Sequence, residues 1–169
     1  MKSTIPAVLL LCSPAFGQVT LPPDQPEVLA VSSPLTFEQA ADQALAAMTQ
    51  RAGELNIQGV ALVAFIEGDT TKSWSSKMVV VGKVANEPKG ENRGSNLLAI
   101  AYTKAAEMAV TLKDSGHADR PPMTGETGWE GGLIRKGRNG YLLAAFSGGP
   151  SADDLKVSKA GLEVLAGKL

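Results

Sequence analysis

The stretch Gly59-Val60-Ala61-Leu62-Val63-Ala64-Phe65-Ile66-Glu67 limits what this chain can become more than any other. An unbroken apolar run fits neither a half-exposed strand, which alternates, nor a surface helix, which repeats every three to four positions. Its length and branched residues predict a strand buried on both faces. Such a strand needs a packed layer on each side. The flanking sequence supplies candidates. Upstream, Leu35 stands as a staple before Thr36, and Thr36 with Gln39 forms a capping pair. Phe37, Ala41, Ala44, Leu45, Met48, Ala52 and Leu55 then recur at helical spacing.

Downstream, a second strand is expected over Lys72–Lys83, paired with the first through the Gly68-Asp69 turn. Pro88, Gly90 and Gly94 mark residues 86–94 as a loop. Ser95 is the expected cap of a second helix that runs to Lys113. That helix has one apolar stripe through Leu97, Ala101, Ala105 and Met108, and another through Ala99, Ile100, Ala106 and Val110. Only Thr103, Lys104 and Glu107 form a narrow polar face. The sheet takes one stripe, so the other is expected to meet a neighbouring subunit. Residues 114–131 read as a long irregular loop, and loops of that length are usually functional. Gly132–Lys136 and Tyr141–Phe146 form a second hairpin around Asn139-Gly140. The chain then turns through Ser147-Gly148-Gly149-Pro150 into a last helix, with Ser151 as its cap in an S-x-x-D pair with Asp154. The fold class is α/β of the α+β kind: an antiparallel sheet of about five strands with packed helices.

Composition removes several function classes. The chain has 16 basic and 17 acidic side chains and no basic stretch that would track nucleic acid. Lys2, the apolar Ile5–Leu11 and Ala15-Phe16-Gly17 read as a signal peptide over 1–17, with the mature chain beginning at Gln18. A proline-rich leader follows over 18–34, and the domain spans 35–169. This predicts a periplasmic or secreted protein with no membrane segment after cleavage. Cys12, the single cysteine, leaves with the signal, so no disulfide and no thiol nucleophile remain. With one histidine, His117, a Cys/His metal site is unavailable, and no serine sits in a nucleophile elbow. No metal and no catalytic set is expected.

Three stretches carry a resemblance: Leu35-Thr36-Phe37-Glu38-Gln39-Ala40, Ala101–Ala106, and Phe146-Ser147-Gly148-Gly149-Pro150-Ser151-Ala152-Asp153-Asp154, with Arg120-Pro121 ahead of Gly131-Gly132. In these the chain resembles the GlcG/HbpS-like haem-binding or haem-degrading domain family, over nearly all of residues 35–169. The resemblance implies a profilin- or PAS-like architecture, a homo-oligomer and, in some members, bound haem.

The turn after residue 146 is the main candidate site. A strand that breaks through Ser147, Gly148 and Gly149 into a helix beginning near Ser151 leaves backbone N–H groups facing a possible anion. Arg120 in the long loop can grip a carboxylate bidentately, and Lys104 offers a second cation. His117 is the chemically obvious haem ligand. The expected function is therefore an exported small-ligand-binding or sensory domain that recognises an acidic small molecule. A haem-binding or haem-degrading protein and a non-catalytic accessory or scaffold subunit stand as alternatives.

Overall fold

The computed structural model describes residues 35–169, and the expected signal peptide and leader (1–34) lie outside the described residues. The elements are α1 (Phe37–Glu54), β1 (Gly59–Glu67), β2 (Trp74–Val81), β3 (Ala85–Asn86), β4 (Ser95–Asn96), α2 (Leu97–Thr111), β5 (Gly132–Lys136), β6 (Gly140–Ser147) and α3 (Ser151–Lys168). Four strands make one antiparallel sheet in the order β2-β1-β6-β5, and β3 with β4 forms a separate two-stranded ribbon. The class is α+β.

β1 is a central strand, and its two faces serve different layers. Val60, Leu62, Ala64 and Ile66 pack with Leu143 and Ala145 of β6 against α2. Ala61, Val63 and Phe65 join Leu142, Ala144 and Phe146 against α1 and α3. Val60 through Ala64 and Ile66 are each at most 1% exposed. Burying one large aliphatic side chain stabilises by about 1.5–3 kcal/mol. A single helix cap contributes typically about 1 kcal/mol. The double-sided burial of β1 therefore outweighs any local signal in setting the architecture.

The strands also close up tightly at one end. Val60 pairs with Ser147, so Gly59 and Gly148 lie where the start of β1 passes the end of β6. A Cβ on Gly59 would overlap the Ser147 carbonyl, and one on Gly148 would overlap the Gln58 carbonyl. Both obstructions are backbone and cannot swing aside. Gly148, read from sequence as part of an anion-binding turn, thus has a packing reason of its own.

Several local expectations are corrected. α1 has its expected capping box between Thr36 and Gln39. α2 is capped instead by Asn96, whose side chain accepts from the Ala99 N–H at 2.9 Å, while Ser95 belongs to β4. Ser151 is the first helical residue of α3 and not its cap; Pro150 holds the cap position without any side-chain bond. The Lys72–Lys83 run narrows to Trp74–Val81, and the loop over 86–94 is pinched shut by the β3–β4 ribbon. The larger correction concerns α2. Lys104 and Glu107, expected on a solvated face, are 2% and 1% exposed. Ala99 and Ala106 are exposed, Val110 is 62% exposed and Ile100 is half-buried. The helix turns its charges inward and leaves its second apolar stripe outside. Among the described residues, no helix is long and apolar enough to cross a membrane.

Candidate functional site

Lys104 lies on the α2 turn between Ala101 and Met108, both buried against the sheet, so its stem runs inward. Its ammonium donates to the Phe146 carbonyl at the end of β6 and to Asp154 Oδ2 in the first turns of α3, each at 2.8 Å. The two side chains are 2% and 5% exposed. Removing a carboxylate and an ammonium from water costs several kcal/mol per ion, offset only by close pairing and further hydrogen bonds. Both conditions are met. Asp154 Oδ1 also accepts from the Gly149 N–H at 2.9 Å. Burial pushes the Asp154 carboxyl up from its ordinary range, while the Lys104 ammonium and the Gly149 N–H pull it back. Asp154 is thus drawn under the turn and holds Gly149, while the first turn of α3 has no side-chain cap.

The pair dictates what may lie above it. Gly131 adopts φ 127°. A Cβ there would collide with Lys104 Nζ and approach Asp154 Cβ to 2.9 Å. The Gly131 carbonyl accepts from Ser158 Oγ at 2.7 Å and from the Phe146 N–H at 3.1 Å. The end of the long loop is therefore clamped over the pair by α3 and β6.

A cavity of about 160 Å³ opens beside this cluster. Lys104 and Asp154 lie in its wall with Ser147, Gly148, Gly149 and Ser151 of the turn. Asn86 and Ser95 of the ribbon, Leu97 and Ile100 of α2, and Trp129 and Glu130 of the loop complete it. An ammonium has three donors. Two of those on Lys104 are taken, and the third has no acceptor among the described residues. The Ser151 and Ala152 N–H groups, at the first turn of α3, likewise have none.

The structure thus brings together Lys104, Ser147, Gly148, Gly149 and Ser151, and leaves Arg120 and His117 out. Arg120 is not among the residues lining the cavity. Its guanidinium is bidentate on Glu126, at 2.7 and 2.8 Å, and also donates to the Pro121 carbonyl at 3.0 Å. Glu126 takes the Met123 N–H as well, at 2.8 Å. This closes residues 120–126 into a loop of their own. The Arg120 guanidinium, with the Met123 N–H, holds the Glu126 carboxyl down from 4.5 to about 2. The carboxylate that Arg120 grips is thus Glu126 of its own loop.

His117 is 57% exposed, with Nδ1 3.3 Å from the Ser115 carbonyl and Nε2 4.0 Å from Glu130. It does not line the cavity. A volume of about 160 Å³ falls below the roughly 300–1,000 Å³ of pockets for drug-sized ligands. Haem is larger still.

Sequence reasoning placed Lys104 opposite Glu107 on one helix face and missed its true partner, fifty residues away along the chain. Glu107 instead anchors the loop, accepting from the Gly116 N–H at 2.8 Å through Oε1. Its Oε2 and Thr127 Oγ1 are buried with no partner among the described residues. Asn86, Ser95 and Glu130 also went unread as site residues, because nothing local marks them. Trp129 had a signal, an aromatic next to Gly128 in a functional-length loop.

Two outcomes follow from this geometry. Lys104→Met strands a buried carboxylate and is expected to destabilise the fold by about 3–5 kcal/mol at neutral pH. Adding Asp154→Asn, which removes the charge and keeps an acceptor for Gly149, is expected to recover at least half of that; urea melts of the two variants decide it. Glu126 has a folded pKa below its unfolded one. Its pairing therefore stabilises fully above pH 4.5 and is lost as pH falls toward about 2. NMR titration of the Glu126 carboxyl should show a midpoint near 2, moving up toward 4.5 in Arg120→Met.

No protein-family model matches the chain, and no curated protein matches it significantly.

Proposed function

We propose that residues 35–169 form a small-ligand-binding domain whose site is the cavity at the start of α3. The observation that carries this is the conjunction of free α3 N–H groups with a buried ammonium that keeps a spare donor, both at one polar cavity. A buried ion pair is weak evidence for stability, and perturbed buried charges collect at functional sites. The ligand presents an anionic or acceptor group to Ser151 and Ala152. A helix N-terminus contributes about 0.3–1 kcal/mol to holding an anion at an exposed position. Lys104, already neutralised by Asp154, adds a directed hydrogen bond and no net charge. Arg120, committed to Glu126, adds nothing here. The expected affinity for a bare carboxylate is accordingly weak, about millimolar. The reading is one of binding, with no bond-making step assigned. With residues 1–17 read as an export signal, the domain works outside the cytoplasm.

Ser151→Glu tests this reading directly. A carboxylate at the first helical position suits the α3 dipole and is expected to leave the melting temperature level or raised. It competes for the N–H groups that the ligand would use. Propionate should shift the NMR amide signals of Gly149 and Ala152 in the native chain and fail to do so in the variant. Native amides that ignore propionate would sink the proposal.

The outward stripe of α2 supports a second reading, that the chain self-associates as a homo-oligomer. Val110 at 62% exposure, with Ala106 one turn before it and Ala99 further back on the same stripe, is apolar surface left in water. Light scattering at micromolar concentration should give a mass above the monomer, and Val110→Glu should return the monomer.

A further inference from the structure

We propose that Asn139 is a site of spontaneous modification, losing its side-chain amide to attack by the Gly140 backbone nitrogen. Asparagine followed by glycine is chemically fragile, because no side chain on the next residue shields that nitrogen. In the tight hairpin turn that favours Asn-Gly, both central residues take positive φ. Among the described residues other than glycine, only Asn56 and Leu112 do so, and Arg138 and Asn139 therefore make a different turn. The Gly137 N–H donates to the Gly140 carbonyl at 2.7 Å, but no bond returns from the Gly140 N–H to Gly137. The turn is an open one.

The neighbouring strand leaves the same group unused. The Gly68 N–H donates to the Asn139 carbonyl at 2.8 Å, and Glu67 stands opposite Gly140. In an antiparallel ladder a residue so placed belongs to a non-hydrogen-bonded pair, and its N–H points away from that neighbour. The Gly140 N–H thus has no backbone acceptor on either side among the described residues. Asn139 is exposed at the tip of the turn. Arg138, directly before it, adds a positive charge that favours the deprotonated nitrogen needed for attack. Packing also fixes the glycine. Gly140 adopts φ 156°, and a Cβ there would overlap the Ile66 carbonyl. That obstruction is backbone, so the position cannot take a side chain to protect the bond.

The reaction balances with water as its only co-reactant. Solvent base takes the Gly140 amide proton, and the nitrogen's electron pair forms a bond to Asn139 Cγ. The Cγ–Nδ2 bond breaks, and ammonia leaves with a proton returned from solvent. A succinimide ring remains, and water opens it. Opening at Cγ gives aspartate. Opening at the main-chain carbon gives isoaspartate, whose backbone runs through the former side chain. The second product turns the acceptor of the Gly68 N–H into a carboxylate that hangs off the chain, and so loosens the tie between the two hairpin turns.

The test holds the full chain at mildly alkaline pH, samples it over days and maps its peptides by mass spectrometry. Isoaspartate methyltransferase supplies an independent label for the rearranged product. Asn92 is the internal control, being exposed but followed by Arg93. A free peptide spanning 136–141 is the unfolded reference. The folded chain restrains Asn139 and buries Gly140, so it should react more slowly than the peptide. It should still convert Asn139 at least about tenfold faster than Asn92, a barrier lower by about 1.4 kcal/mol. Asn139→Gln, whose longer side chain closes a less favourable ring, should leave that segment unchanged in mass. Conversion no faster than at Asn92, or a product that forms only in the urea-unfolded chain, overturns the proposal.

Discussion

An ammonium ion taken out of water needs close partners, and the buried end of Lys104 organises this molecule around that demand. Two partners answer it, the Phe146 carbonyl of β6 and the carboxylate of Asp154 on α3, and Gly131 at the end of the long loop leaves the space for its head. Meeting it decides the rotation of α2 about its own axis. With Lys104 and Glu107 turned inward, Ala106 and Val110 have nowhere to go but out. An apolar helix face in water is thus the counterpart of two buried charges, and both have the same cause.

The same pair changes the meaning of the turn after β6. A strand that breaks through glycines into a helix looks, in isolation, like a place built for an anion. Here Gly148 is demanded by the backbone of Gln58, and the Gly149 N–H is taken by Asp154. What remains free are the N–H groups of Ser151 and Ala152, two and three residues further on. The site is smaller than the motif suggests, and its wall carries negative as well as positive charge. Charge balance, more than the glycine pattern, governs what can bind.

The long loop between α2 and β5 is held at both ends and in its middle. Ser115 exchanges hydrogen bonds with Gly132, Asp114 accepts from the Ile134 N–H, and Glu107 holds Gly116 from beneath. Arg120 and Glu126 close the centre. Each bond within the loop leaves fewer groups for a ligand, which is why Arg120, a natural carboxylate receptor, is not free to act as one. Only Trp129 and Glu130, just before the clamp at Gly131, reach the cavity.

The architecture was legible from local chemistry. The double-sided burial of β1, the Thr36–Gln39 box, the Asn139-Gly140 hairpin and the glycine-rich end of β6 are short-range patterns, and short-range sterics and hydrophobic periodicity suffice to read them. The candidate turn was legible for the same reason. Lys104's partner was not. A lysine three residues before a glutamate on one helix is locally a surface pair, and only the packing of α2 against β6 and α3 brings Asp154 close enough to win. Periodicity gives the direction of a stripe but not which of two stripes meets the sheet. That choice places Lys104 beside a partner fifty positions away along the chain, which no local pattern records. The sequence by itself determined the layers and their order. The tertiary structure decided which charges are inside, and so which face of the cavity a ligand meets.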